Sequence, residues 1–381
     1  IGDLDFLVAT NSPDPVMAAF QTLPEVVEVI GAGETKSSVR FTNGLQADLR
    51  CLEPNQWGTA LQYFTGSKNH NVKLRELAQK KGYSLNEYAL TRERDDEVLL
   101  FDNEASLYEF LGLAYIPPYL REDWGEIDAA LNGELPRCVT VGDIKGEVHC
   151  HSTWSDGSHT IEEMARAAQA RGYKYLAITD HSHSLGIANG LSPARLRQQR
   201  REVQEVQARV PGLRLWQGTE MEVKADGSLD YPDEVLAELD FVVASIHTGL
   251  RQDRETLTRR ALTAIRNPYV KLIGHPSGRL LTRREAGDFD MEAVIRAAAE
   301  TGTMLEINAA PERLDLSDVH VRRAVELGVK LAINCDAHSV DDFANLHYGV
   351  ATAARGWATT RDIANALSLD EFEMLIHGSG E

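Results

Sequence analysis

From residue 144 onward, short apolar runs alternate with segments whose apolar residues recur at the three- and four-residue spacing of a helix. The apolar runs predict strands at residues 146–151, 175–180, 213–220, 241–247, 270–275, 304–308 and 330–336. The helical segments between them include residues 161–171, 193–208, 254–266, 291–301 and 319–327. This alternation is typical of parallel strands with helices outside, and a series of this length favours a closed barrel. An open doubly wound sheet is the alternative, but no G-x-G-x-x-G motif follows any strand.

Residues 1–118 have a different pattern, in which short strands and helices predict a mixed α/β region. Strands are predicted at residues 3–9, 38–41 and 45–51, and helices at residues 15–22, 55–65 and 72–81. Asn43-Gly44 lies between two of these strands and predicts a tight hairpin turn. Residues 119–143 mix prolines, glycines and acids without clear periodicity, and we interpret them as a linker before a second domain at 144–381.

The composition limits the class of protein. A chain of 381 residues suggests two or three domains, and its 43% hydrophobic and 25% charged residues are typical of a folded chain. No apolar run is long enough for a membrane span, and no secretory signal pattern opens the sequence. The four cysteines are scattered without a C-x-x-C pair, which favours a reducing cytoplasm over a disulfide framework.

A formal net charge of −19 argues against a uniformly basic surface for nucleic acid, although local basic patches remain compatible with it. Arginines crowd the helix after the second predicted strand of the carboxyl-terminal region and the loop after the fifth. Arg195 and Arg279 are the candidate DNA contacts from these clusters. Solvated helix faces explain such arginines equally well.

Histidines mark the ends of the predicted strands. Six of the twelve histidines in the chain lie there, namely His149, His151, His181, His247, His275 and His338. Asp156, Glu220 and Asp336 follow or end strands of the same series. Any one of these histidines alone is more simply a hydrogen-bonded core residue, but the whole set on one rim needs cations to offset its burial. Nitrogen and oxygen ligands suit zinc, manganese or iron, and nine side chains are enough for two or three ions.

The other six histidines are interpreted as mostly surface residues on loops or helices. They are His70, His159, His183, His320, His347 and His377. His183 lies two residues beyond His181 and is a candidate contact for substrate phosphate.

A second group of acids lies near the amino terminus. Asp3 and Asp5 have the spacing of one strand face, and Asp48 lies on a later strand that we expect to pair beside it. Three carboxylates on adjacent strands can hold two magnesium ions for phosphoryl transfer. Solvated acids at a strand end are the commoner alternative.

The carboxyl-terminal motifs resemble those of the polymerase and histidinol phosphatase (PHP) domain. They are H-x-H followed by S-D-G, then T-D-H-S, G-x-E, a lone histidine, G-H-P and N-x-D-A-H. The resemblance implies a distorted seven-stranded (β/α)7 barrel with a trinuclear metal site. It implies one ion on His149, His151, Glu220 and Asp336, a second on Glu220, His247 and His275, and a third on Asp156, His181 and His338.

Residues 1–118 resemble the palm and thumb of family X DNA polymerases. The segment Tyr63-Phe64-Thr65-Gly66-Ser67, with Asn71 beyond it, carries the likeness together with the three carboxylates. The resemblance implies a partial palm at 1–52, a thumb at 53–118 and nucleotide contacts at Tyr63, Phe64, Gly66 and Asn71. Lys68 stands where some relatives have an acidic residue.

Both regions together resemble bacterial family X repair polymerases with a built-in 3′–5′ exonuclease. This implies a DNA repair enzyme that acts on gapped or primer–template DNA and its 3′ ends, with deoxynucleoside triphosphates as further substrates. It implies Mg²⁺ or Mn²⁺ at the polymerase carboxylates and two to three Mn²⁺ or Zn²⁺ in the barrel. The sequence begins within the palm, so we expect weak nucleotide addition or none from these residues alone.

Two alternatives stay open at this point. A small-molecule phosphatase of the histidinol phosphatase type would use the same barrel, but it has no use for a palm and thumb. A barrel that only braces a polymerase would tolerate the loss of metal ligands, whereas all nine positions here carry competent residues.

Overall fold

The computed structural model describes residues 2–377. The chain divides into two compact units, with the division between Leu135 and Pro136. The last four residues of the predicted second domain, 378–381, lie outside the described part. Among the described helices, none combines the length and the apolar character needed to cross a membrane.

The first unit opens with a four-stranded sheet in the order β1-β4-β3-β2. Its strands are β1 (Asp3–Ala9), β2 (Val26–Ala32), β3 (Lys36–Phe41) and β4 (Gln46–Leu52), with helix α1 (Pro13–Gln21) after the first. Strands β3 and β4 form the predicted hairpin, and Gly44 in its turn has φ +83°, a conformation that glycine adopts without strain. Strand β2 was not predicted, although Val26, Val27, Val29 and Ile30 give it an apolar run; it is an edge strand with almost every residue exposed.

Helices and a small antiparallel sheet complete the first unit. The helices are α2 (Trp57–Thr65), α3 (Lys68–Lys80), α4 (Glu104–Phe110) and α5 (Glu126–Asn132), and the strands are β5 (Tyr83–Leu85), β6 (Leu90–Arg92) and β7 (Val98–Leu99). The predicted helix at 72–81 begins four residues earlier, because Ser67 caps it by accepting a hydrogen bond from the His70 amide.

The prediction that His70 lies on the surface is wrong. Its ring is fully buried, with Nδ1 2.6 Å from Glu126 Oε1 and Nε2 2.8 Å from the Tyr108 hydroxyl. The three side chains come from α3, α4 and α5 and hold these helices together. The sequence around His70 is mostly polar and shows no apolar periodicity, so the hydrophobic pattern did not predict that this histidine is buried.

The segment predicted as a linker, residues 119–143, contains ordered structure. It carries α5 and two short 3₁₀ turns, at Pro118–Leu120 and Val141–Asp143. Arg121 is fully buried and its Nη1 donates to Glu104 Oε1 over 2.6 Å, while Glu126 accepts from two backbone amides. Buried charge pairs rather than an apolar stripe hold this segment, which explains why it lacks helical periodicity.

The second unit contains a seven-stranded parallel sheet in sequential order. The strands are β8 (Gly146–Cys150), β9 (Tyr175–Ile178), β10 (Arg214–Glu222), β11 (Phe241–Ser245), β12 (Leu272–Ile273), β13 (Met304–Asn308) and β14 (Leu331–Asn334). The helices are α6 (Ile161–Ala170), α7 (Pro193–Arg209), α8 (Asp233–Leu236), α9 (Arg254–Ile265), α10 (Met291–Thr301), α11 (Asp318–Glu326), α12 (Leu346–Arg355) and α13 (Leu369–His377). This architecture confirms the predicted distorted (β/α)7 barrel, in which consecutive strands are parallel neighbours.

Side chains connect the first and last strands where the barrel nearly closes. Backbone contact between them is limited to the bridge between Cys150 and Ala337 in the described chain. Side chains supply the other links. The Val148 amide donates to Asn334 Oδ1 and the Cys335 amide donates to Glu147 Oε2. Asn365 Oδ1 accepts from the Ile333 amide over 3.0 Å, and its Nδ2 donates to the carbonyls of Ile333 and Gly146. The amide of this fully buried asparagine therefore replaces strand-to-strand hydrogen bonds at the seam.

Two apolar layers stabilise the barrel. One lies between the strands and the surrounding helices, and the other lies inside the sheet near the amino-terminal ends of the strands. Helix α13 closes that end, and its Phe372 ring stacks on Tyr175 with centroids 4.7 Å apart. Because side chains fill the lower part of the barrel, only its upper rim is available for chemistry.

We expect Asn365→Ala to destabilise the second unit by about 2–4 kcal/mol, because it leaves three buried backbone groups at the seam without partners. Urea denaturation followed by circular dichroism measures the loss. Gln204→Ala removes an exposed amide from α7 and serves as the matched control. Equal midpoints for the two variants would contradict the role of Asn365.

Candidate functional site

The carboxyl ends of the parallel strands bring the nine predicted ligands to one rim. His149 lies on β8 with His151 directly after it, and Asp156 lies in the loop that follows. His181 follows β9, Glu220 lies on β10, and His247 and His275 come after β11 and β12. Asp336 and His338 come after β14. The closeness of these side chains follows from the parallel arrangement, since each strand ends at the same level.

Glu220 lies at the centre of the group and is fully buried. Its Oε2 is 3.4 Å from His149 Nε2, 3.6 Å from His151 Nε2 and 2.9 Å from His181 Nδ1. Its Oε1 is 2.8 Å from His275 Nε2 and 3.2 Å from His247 Nε2. One carboxylate therefore contacts five imidazoles, as expected of a group that would bridge two cations.

Three sets of ligand atoms lie close enough to share an ion within the described chain. They are His149, His151, Glu220 and Asp336; His151, Asp156, His181 and His338; and His181, Glu220 and His247. The first set has the membership implied by the family resemblance. The second set contains His151 in addition to the three residues implied for one ion, and the third contains His181 where the resemblance implies His275. His275 itself contacts Glu220 over 2.8 Å.

The backbone conformation at this rim allows the ligand side chains to lie close together. A side chain at Gly274 would place Cβ 2.4 Å from Ser245 Oγ, so the glycine of the G-H-P motif lets His275 reach the cluster. His275 and Asp336 have φ values of +27° and +52°, which non-glycine residues adopt rarely. Such conformations persist where surrounding contacts hold them, and here the His275 amide donates to Glu306 over 2.6 Å.

Two carboxylates that were not predicted as site residues lie behind the rim. Glu306 Oε1 is 2.7 Å from His149 Nδ1, and Glu222 Oε2 is 2.7 Å from His247 Nδ1. Each acid orients an imidazole so that Nε2 faces Glu220. Each glutamate lies on a strand two residues from another polar residue and points into the barrel. The sequence signal for this was the alternation of polar residues in the E-I-N and E-M-E segments.

A cation also lies beside the cluster. Arg313 Nε is 3.2 Å from Asp336 Oδ2, and Arg313 Nη1 is buried without a hydrogen-bond partner in the described chain. No sequence motif had singled out this arginine.

The charges of the cluster shift its pKa values strongly. Burial alone would raise the pKa of Glu220, but the imidazoles of His247 and His149 hold it well below its ordinary value. Burial and the charges of His338 and His181 lower the pKa of His151 to about 3. Burial lowers the pKa of His181 and His338, yet Glu220 and Asp156 outweigh it and raise them to about 10 and about 9.

The donor set fits divalent cations. It consists of imidazole nitrogens and carboxylate oxygens without a thiolate, which suits zinc, manganese and iron. His149 Nε2 and Glu220 Oε2 are buried and, although they have polar neighbours, neither makes a hydrogen bond of suitable geometry among the described residues. Buried polar atoms of this kind need a partner, and a shared cation would supply one.

Strand pairing places two of the three amino-terminal carboxylates opposite each other, but the three do not form a ligand-atom set close enough to share an ion among the described residues. Strands β1 and β4 are parallel, with Asp5 opposite Asp48. Asp3 and Asp5 are exposed, and Asp48 is half-buried with its Oδ2 3.2 Å from Lys36 Nζ. Burial raises the pKa of Asp48, but hydrogen bonds from Gln46, Ser38 and Lys36 bring it below its ordinary value. A cation at this face would compete with Lys36 for Asp48.

The predicted nucleotide contacts lie at the junction of α2 and α3. Gly66 ends α2 with φ +72°, and Tyr63 and Phe64 pack edge to face with centroids 5.1 Å apart. Asn71 is half-buried and bonded to other residues of the protein, since its Oδ1 accepts from Gln62 over 2.6 Å and its Nδ2 donates to the Tyr63 carbonyl. It therefore fastens the two helices together.

The two predicted DNA-contacting arginines have structural partners. Arg195 donates to the carbonyls of Trp154, Asn189 and Gly190. The guanidinium of Arg279 donates to the carbonyls of Arg313 and Leu314. Both arginines fix loops at the rim, and Arg313 is the arginine beside the metal ligands.

Known proteins match both parts of the chain. The family model of the DNA polymerase beta thumb matches residues 60–122, and that of the PHP domain matches residues 147–310. A protein of Bacillus subtilis (strain 168) named DNA polymerase/3′-5′ exonuclease PolX is 41% identical over 378 residues, covering 99% of this chain and 66% of that protein. The chain thus spans about two thirds of the length of this curated relative.

More distant matches cover the second unit. A probable phosphatase of Caldicellulosiruptor saccharolyticus is 32% identical over 211 residues, covering 53% of this chain and 83% of that protein. The crystal structure of histidinol phosphate phosphatase from Lactococcus lactis has a TM-score of 0.44 at 18% identity, covering 56% of this chain and 93% of that one.

The fold and the matches define a PHP domain preceded by a polymerase thumb of the DNA polymerase beta type. The chain belongs to the family X DNA polymerases that carry a PHP domain.

Metal binding should release protons. At pH 7 the metal-free site should carry protons on His181 and His338, because their pKa values are raised to about 10 and about 9. A divalent cation must displace these protons, so its affinity should increase as pH rises toward those values. Calorimetric titration with Mn²⁺ in two buffers of different ionisation enthalpy measures the release. Identical binding enthalpies in both buffers would show that no proton leaves.

Glu306→Gln should weaken metal binding about 10- to 100-fold, because the His149 ring loses the anionic acceptor that orients it. The measurement is competition for Zn²⁺ against a fluorescent chelator. Glu300→Gln changes an exposed acid on α10 and should leave the affinity unchanged. If both variants bind as the parent does, Glu306 has no part in positioning His149.

Proposed function

We propose that this chain is part of a DNA repair enzyme in which a family X polymerase module is joined to a metal-dependent 3′–5′ exonuclease in the PHP barrel. The observation that carries the nuclease proposal is the contact of Glu220 with five imidazoles on the barrel rim. The name of the Bacillus subtilis relative, which combines both activities, supports the pairing.

We assign the barrel two to three Mn²⁺ or Zn²⁺ ions, held by the nine ligands at the rim. His149, His151, Glu220 and Asp336 would hold one ion, with Glu220 shared with a second near His247 and His275. Asp156, His181 and His338 would hold a third. When bound, such ions lower the pKa of a coordinated water and neutralise phosphate charge.

The protein's own residues would orient the scissile phosphate. Arg313 is positioned to contact a phosphate oxygen, because its guanidinium lies beside Asp336 and one of its nitrogens lacks a partner. Glu306 and Glu222 would keep the His149 and His247 rings in place while the phosphate binds. Substrate would approach where the ligands are accessible, at Asp156 and His338, whose side chains are 34% and 38% exposed.

For the polymerase module we propose Mg²⁺ or Mn²⁺ at Asp3, Asp5 and Asp48. Deoxynucleoside triphosphates would bind near Tyr63, Phe64 and Gly66, and the DNA partner would be a gap or a primer–template end. The four cysteines have no disulfide partners, which supports a cytoplasmic location.

A small-molecule phosphatase is the second candidate. The probable phosphatase of Caldicellulosiruptor saccharolyticus aligns with this chain over 83% of its length, so the barrel could also act on a phosphomonoester. Rates for histidinol phosphate and for a 5′-labelled single-stranded oligonucleotide, measured with Mn²⁺, discriminate between the two. Faster turnover of the small ester would favour the phosphatase.

Glu220→Gln should reduce release of nucleotides from the 3′ end by at least about 100-fold, because it removes the shared anionic ligand without changing the shape of the side chain. Gel analysis of a 5′-labelled strand with Mn²⁺ measures this rate. Glu205→Gln, at an exposed position on α7, is the matched control and should retain the parent rate. Digestion by Glu220→Gln at the parent rate with unchanged metal content would exclude the proposed site.

A further inference from the structure

A loop at the barrel rim carries an isoleucine that has no packing partner. The loop comprises residues 182–191, follows His181 directly and includes a 3₁₀ turn at Gly186–Ala188. Ile187 in this turn is 97% exposed, more than any other large hydrophobic residue in the described chain. Exposing a β-branched apolar side chain costs free energy that burial would recover.

This 182–191 loop is held in place by its own hydrogen bonds. The amides of Leu185 and Gly190 donate to the carbonyls of Ser182 and Leu185 over 3.2 Å. The amide of Ser184 donates to Asp230 Oδ2 over 2.7 Å. Ile187 is therefore presented on a fixed turn.

The anchors of the loop place it beside the accessible ligands. Asn189 Nδ2 donates to the carbonyls of Trp154 and Ser155, the two residues before Asp156. At the other side, the Leu191 amide donates to the His181 carbonyl over 2.8 Å. The loop is thus tied to the backbone next to both Asp156 and His181, which lie 3.4 Å apart through their side chains.

The composition of the loop suits a nucleic acid strand. No acidic residue occurs from 182 to 191, in a chain whose net charge is −19, and the neighbouring Asp230 is engaged by Ser184. Because the loop is bonded to the backbone beside Asp156 and His181, a nucleotide whose phosphate binds at these ligands would lie next to it. An unstacked base offers an apolar face there, whereas a base inside a duplex is covered by its neighbours.

We propose that Ile187 is a specificity-determining contact that packs on the unpaired base of the 3′-terminal nucleotide. The inference rests on the proposed nuclease function and deepens it by assigning the residue that contacts the terminal base.

The test compares two single-stranded oligonucleotides, one with a natural 3′-terminal nucleotide and one whose terminal nucleotide lacks its base. The parent chain with Mn²⁺ should release the natural nucleotide about tenfold faster, as kcat/KM for the first cleavage, because only that nucleotide buries Ile187. Ile187→Ser should cleave both strands at the slower, abasic rate. Ile187→Leu should retain the preference, since it retains the apolar contact.

Met374→Ser is the control, because Met374 is 56% exposed on α13 at the opposite end of the barrel. It should keep the full preference for the natural end. An Ile187→Ser variant that keeps the tenfold preference would overturn the inference while leaving the nuclease proposal intact. Failure of the parent to shorten either strand would overturn both.

Discussion

The burial of the Glu220 carboxylate among five imidazoles is the constraint on which the rest of the second unit depends. A lone buried carboxylate is strongly unfavourable, so its partners must come from all around it. Those partners lie on or directly after four different strands, β8, β9, β11 and β12, and only a sheet curved into a barrel can aim them at one point. The side-chain seam at Asn365 maintains this curvature where the strand ladder is interrupted.

A second layer of buried carboxylates, behind the imidazoles, balances their charge in the same way. Glu306 on β13 contacts His149, the His275 amide, Asn308 and Asn334, so a single buried acid links β8, β12 and β14 to its own strand at the site. Glu222 does the same for His247 and Thr248. These residues look like ordinary strand positions in the sequence, because their role depends on which strands are neighbours and on the direction of each ring nitrogen.

Much of the fold was predictable because strong local patterns determine it. The seven parallel strands read as apolar runs, and the positions of His149 or Glu220 follow from where those runs end. Helix α5 and buried His70 were missed because polar contacts with residues far along the chain, such as Glu126 with His70, stabilise them and leave no periodic apolar signal. Strand β2 was missed although its sequence does contain an apolar run. Arg313 was missed because only the folded loop brings it to Asp336.

Whether a ligand lies on a strand or on a loop also explains why the site opens on one side. Ligands carried by strands, such as His149 and Glu220, are fully buried, whereas Asp156 and His338 lie on loops and remain partly exposed. An ion held by strand ligands would be enclosed by rigid structure, while one held by loop ligands would face the substrate and exchange more readily. The loops at this open side are therefore where substrate preference can differ among barrels that share the same buried ligands, since they can change without disturbing Glu220.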